Sequence, residues 1–224
     1  MQDIKEIIND IKLIIDAYDS IENYRKNLDK ISFRFKTNNK YDVTETTRYA
    51  VIDVFKDANN MTRKLDTCLK ELCSMIPTGV WLQKIPELKI YDVGKLLTIF
   101  DVENRAYASQ FMSYAGLSND KSPYNSKVRR YISELGNIFT YTPGFYCEII
   151  TNRYNKLIEE VGEENMNDDL FDILLNKAKR YGMKIFLAHL FEQMYREKYH
   201  EEPNRRITGE YIKPPVDFIE YLDD

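Results

Sequence analysis

Lys177, Arg180 and Lys184 recur at intervals of three and four in a stretch with helical patterning, which puts them on one helix face. A row of that kind can hold phosphate, lysine acting as a point charge and arginine as a forked donor. A second basic group, Lys127, Arg129 and Arg130, is interleaved with Tyr124, Tyr131, Tyr141 and Tyr146, whose rings could stack on unpaired bases or simply pack. Arg196, Lys198, Arg205 and Arg206 follow further on. On charge alone, solvated helix faces compete with this reading.

Other reactive side chains form no constellation. His189 and Glu192 lie one helical turn apart, but two ligands are too few for a metal site, and a histidine packed against neighbouring helices is favoured. His200, beside Glu201 and Glu202, reads as a solvated helix end. Cys68, Cys73 and Cys147 have no zinc-like spacing and cannot make an even disulfide framework, so reduced thiols are expected. Gly-rich phosphate loops, HExxH and GxSxG are missing. The expectation is a protein without catalytic residues, cofactor or metal.

The elements that must position the basic residues are helical. With 8 Gly and 7 Pro in 224 residues, turns are too sparse for an all-β sandwich or barrel, so the expected fold class is all-α. Ile4, Ile7, Ile11, Ile14, Tyr18, Ile21 and Leu28 trace a heptad seam, widened by Ile8 and Ile15. Residues 31–41 form a bridge in which 32–36 alternate like a short strand and 37–39 read as a turn. A second arm from about 44 carries Val51, Phe55, Ala58, Thr62, Leu65, Leu69, Leu72 and Ile76, ending at Pro77-Thr78-Gly79. Together the arms predict a long antiparallel coiled-coil hairpin over residues 1–76. Its stripe is too wide for two helices, so a second copy or the body of the protein must complete it.

A compact body of short helices over residues 77–209 follows, then an acidic tail over 210–224. Helices are expected at 80–85, 93–100, 104–115 closed by Gly116, 126–135 stopped by Gly136, 143–161 before Gly162, and 167–199. Trp81, beside Leu82 and Ile85, reads as core. The chain starts with a charged amphipathic pattern and nowhere carries eighteen consecutive apolar residues, so a cytoplasmic protein without a membrane partner is expected.

A net charge of −4 and pI near 5.4 would ordinarily argue against nucleic acid. Residues 159–172 hold seven acids and no base, and 210–224 hold five acids and one lysine. Those two segments carry −11, leaving +7 on the remainder. The acidic balance is therefore local.

The middle of the chain resembles a known family. Ile85-Pro86-Glu87-Leu88-Lys89, then Val93-Gly94-Lys95-Leu96-Leu97, then Phe111-Met112-Ser113-Tyr114-Ala115-Gly116-Leu117 and Gly136-Asn137, are similar to the C-terminal domain of bridge-RNA-guided insertion-sequence transposases. The arrangement also resembles the Nop domain of box C/D ribonucleoproteins, and in architecture the Tas family of TIGR-Tas RNA-guided systems. The likeness spans roughly residues 44–200.

The resemblance implies a protein that binds guide RNA and, through it, target DNA, without cutting. It implies a homodimer, joined through the arms at Ile7, Ile14, Ile21, Leu28, Leu65, Leu69 and Leu72, and leaves open a nuclease acting in trans as a further partner. RNA would be held by Lys127, Arg129, Arg130, Asn137, Lys177, Arg180 and Lys184, with Tyr124 and Tyr131 stacking on bases. Three departures shape this expectation. Glu87 and Lys89 replace the two hairpin glycines, which suggests a structural turn rather than a phosphate cradle. No serine falls at the transposases' catalytic offset, and 224 residues leave no room for a fused nuclease domain. The alternatives are a transposase-derived DNA-binding protein acting without RNA, an interaction protein whose arms dock a partner, and a DNA glycosylase using Asp101, for which the hairpin lacks its glycines.

Overall fold

The protein is described here from a computed structural model covering residues 3–37, 45–103, 105–118, 123–162, 167–203 and 212–217, with backbone alone for 31–37 and 48. Among these residues there are eight helices and no strand: α1 (Ile4–Thr37), α2 (Glu45–Ser74), α3 (Pro77–Gln83), α4 (Ile90–Ile99), α5 (Ala108–Tyr114), α6 (Ser126–Tyr141), α7 (Phe145–Val161) and α8 (Asp168–Tyr199). No described helix is long and apolar enough to cross a membrane. The turn expected at 38–39, Arg205, Arg206 and most of the acidic tail lie outside the described residues.

Two compact units divide the chain: Met1–Val80 with Ile90–Thr98, and Trp81–Lys89 with Ile99–Asp224. The expected boundary at 76/77 therefore moves into α3, and α4 joins the arms.

In the first unit α1 and α2 pack along one another. The strand-like bridge is corrected: α1 runs unbroken to Thr37, because continuing a helix costs less than starting a new element. Gly94 of α4 lies where an added Cβ would come within 3.1 Å of Leu69, 3.2 Å of Ile15 and 3.4 Å of Ile11, so a side chain-free surface lets α4 settle on both arms. Tyr91 of α4 packs against Tyr18 with ring centres 4.7 Å apart and the rings tilted, and its hydroxyl donates to Asp19. Burial, then the Asp19 carboxylate, pushes the Tyr91 phenol well above its ordinary pKa, so it stays a donor.

That arrangement changes the reading of the heptad seam. Ile7, Leu28 and Leu69 are buried within a single chain, whereas Ile14, Ile21, Leu65 and Leu72 are half-buried. The first three are already covered, so the seam is not presented whole to a second copy.

The second unit is built around α8, whose residues 189–194 are buried on all sides, as befits a central helix. α5, α6 and α7 each pack on it. Phe139, Tyr146 and Phe186 form an aromatic triangle with ring centres 4.9–5.3 Å apart. Phe100, Phe111 and Phe191 make a second cluster. Trp81 is fully buried, as expected, and its Nε1–H donates to the Val216 carbonyl at 3.1 Å.

Helix punctuation follows the sequence in part. Asn167 caps α8 by accepting from the Leu170 amide at 2.9 Å, and Gly116 takes the left-handed conformation after α5 with φ of 68°. Gly136 does not stop α6, which continues to Tyr141. An added Cβ there would lie 3.2 Å from Met183 Cγ, so the glycine serves the packing of α6 on α8. α7 begins at Phe145, two residues beyond Pro143.

Candidate nucleic-acid interface

α8 enters the second unit with its apolar face committed to the core, which leaves Lys177, Arg180, Tyr181 and Lys184 facing α7. On α7, Arg153 and Leu157 are four residues apart and so share a face. These six residues line an open cleft of about 250 Å³. Four of them are cations, and none of the lining residues is acidic. Leu157 is buried and supplies an apolar floor, while Tyr181 is 39% exposed at the rim. The Arg153 guanidinium stands 5.7 Å from the centre of the Tyr181 ring, and its Nη1 is 3.8 Å from Glu160, whose side chain is largely exposed. A solvated pair of that kind contributes little and can be exchanged for another anion.

The cleft connects to the first basic cluster through one turn. Arg180 Nη2 donates to the Leu117 carbonyl at 3.1 Å. The preceding residue, Gly116, lies where a Cβ would be 3.0 Å from Arg129 Cδ and 3.2 Å from Tyr124 Cγ. Arg129 in turn lies over the Tyr124 ring at 4.8 Å. Lys127, Arg129 and Arg130 are exposed on the first turns of α6, whose N-terminal amides at Lys127 and Val128 are taken by the Asn125 side chain.

Of the expected contact residues, the cleft gathers Lys177, Arg180 and Lys184, and the Gly116 turn gathers Arg129 and Tyr124. Asn137 is exposed on α6, but its Oδ1 accepts from Lys179 Nζ at 3.0 Å, and Lys179 also lies 5.7 Å from the Tyr141 ring centre. Tyr131 is a correction. It is only 7% exposed and falls with Val128, Ile132, Leu135 and Phe139 on the buried face of α6, where no base can reach it. Arg153 and Tyr181 were not singled out from sequence. No comparison with family models, curated proteins or solved structures returns a match. The functional argument therefore rests on these side chains.

Other candidates resolve into structure. Glu87, which stands where the resembling domains have a glycine, is 3% exposed and accepts from the Tyr146 amide at 3.2 Å, capping the start of α7. His189 donates from Nε2 to the Ile212 carbonyl at 2.8 Å, and its Nδ1 is hydrogen-bonded with the Tyr146 hydroxyl at 3.0 Å. Burial and the nearby Glu87 carboxylate push the Tyr146 phenol up, keeping it protonated for that bond. Asp101 is an exposed turn residue whose Oδ1 accepts from the Glu103 amide.

Proposed function

We propose that this chain is a guide-RNA-binding protein of the Tas kind, holding RNA on its second unit while the guide reads target DNA by base pairing. The observation that carries the reading is the convergence of Arg153, Lys177, Arg180 and Lys184 from two helices on one cleft, beside an exposed tyrosine. Scattered solvated charge does not converge in this way. Four cations with no lining carboxylate attract phosphate, and the tyrosine offers a stacking face for an unpaired base. The Gly116 turn extends the cationic track to Arg129, with Tyr124 beneath it. Binding rather than bond breaking is the role. The homodimer is proposed through residues 1–76, with Ile14, Ile21, Leu65 and Leu72 as the contacts still half open.

Gel-shift titrations over a range of salt test this. RNA-free protein should bind structured single-stranded RNA more tightly than duplex DNA of the same length. A salt slope near −0.7 per phosphate contacted is expected for single strands. Tight duplex DNA binding with weaker RNA binding would favour the transposase-derived alternative.

A further inference from the structure

Resting on the guide-RNA reading, we infer that the α7–α8 cleft takes a terminal phosphate of the bound strand, with Tyr181 stacking on the last base. The charge and the size of the cleft carry this. About 250 Å³ is below the roughly 300–1,000 Å³ of pockets that enclose drug-sized ligands, and is of a size for a phosphate with part of its sugar. Four cationic side chains line that small space. An internal phosphodiester carries a single charge and two free oxygens, and is served by one or two contacts. A phosphate monoester carries about −1.5 to −2 near neutral pH and three acceptor oxygens, which matches a convergent cluster better.

The geometry divides the labour. Lys177, Arg180 and Lys184 rise in a row along α8, while Arg153 faces them from α7. Arg180 has one donor engaged at Leu117, which fixes the guanidinium in the wall of the cleft. Among the described residues Arg153 meets the ring of Tyr181 and the solvated Glu160, so it can swing onto the ligand in exchange for that carboxylate. Leu157 offers no hydrogen bond, so polar recognition comes from the four cations and the Tyr181 hydroxyl.

The test uses the full chain and one RNA sequence prepared with a 5′-phosphate, with a 3′-phosphate, or with hydroxyls at both ends. The expected result is roughly tenfold tighter binding for one phosphorylated end than for the hydroxyl form, the scale of one or two charge-assisted contacts. Which end is preferred identifies the source of the phosphate. Lys177→Gln with Lys184→Gln should abolish the preference, whereas Lys127→Gln, outside the cleft, should weaken all three RNAs alike and leave it. Equal binding of the three RNAs overturns the terminal-phosphate assignment while leaving RNA binding intact. No binding of any RNA overturns the guide-RNA reading and the assignment with it.

Discussion

Arg180 Nη2 donates to the carbonyl oxygen of Leu117 at 3.1 Å, tying the middle of α8 to the turn that follows α5. The same arginine lines the α7–α8 cleft, so one guanidinium supports the fold and contributes charge to the candidate interface. Arg180→Ala should therefore lower stability by about 1–2 kcal/mol and weaken RNA binding as well. Arg180→Lys should restore most of the binding and little of the stability, because an ammonium keeps the charge but not the fork. Chemical denaturation and a binding titration on the two variants separate the effects.

Gly182 sets how closely α7 and α8 approach. An added Cβ would lie 2.5 Å from Ile150 Cγ1, too close to fit without movement. Gly182→Ala should cost about 1–3 kcal/mol by overpacking and reshape the cleft beside Tyr181. Gly182→Ala with Ile150→Val should recover part of the melting temperature, which a thermal scan would reveal.

Residues 212–217 lie across the second unit, with the Ile212 and Val216 carbonyls accepting from His189 and Trp81. Truncation after residue 211 should shift the Trp81 emission to the red and remove about 1–3 kcal/mol of stability, the worth of two part-buried hydrogen bonds. Unchanged fluorescence would mean the contact is not held in solution.

The three cysteines should differ in reactivity. Burial pushes the Cys73 thiol up from 9.0 to about 12, whereas Cys68 is exposed and Cys147 donates to the Thr140 carbonyl at 3.3 Å. Thiolate is the reacting form, so alkylation at pH 8 should label Cys68 first and Cys73 only after unfolding. The folded value lies above the unfolded one, so this stability contribution is complete below pH 9 and declines as pH rises toward about 12. Cys73→Ala should flatten that alkaline decline in a denaturation series.

How far the sequence reached depended on whether local spacing or tertiary packing decided each feature. The long helices were legible because side chains three or four residues apart determine them, and the left-handed Gly116 because glycine is the residue that closes a helix that way. The bridge at 32–36 was misread as a strand because its alternation is short, and a helix already under way absorbed it. Gly136 was misread as a stop because its partner, Met183, is 47 residues away in the sequence. Arg153 escaped notice for the same reason: it stands alone on α7 and joins Lys177, Arg180 and Lys184 only when α7 packs on α8. Tyr131 could have been placed in the core, since Val128, Ile132, Leu135 and Phe139 share its face at helical spacing.

The most direct test of the central claim is to express the protein with its own genomic neighbourhood, purify it in moderate salt, and sequence the nucleic acid that comes with it. A guide-RNA-binding protein should carry a short, discrete RNA that is sensitive to RNase and resistant to DNase, and charge reversal at Arg129, Arg130 and Arg180 should remove it. Protein that purifies free of RNA under these conditions would contradict the account.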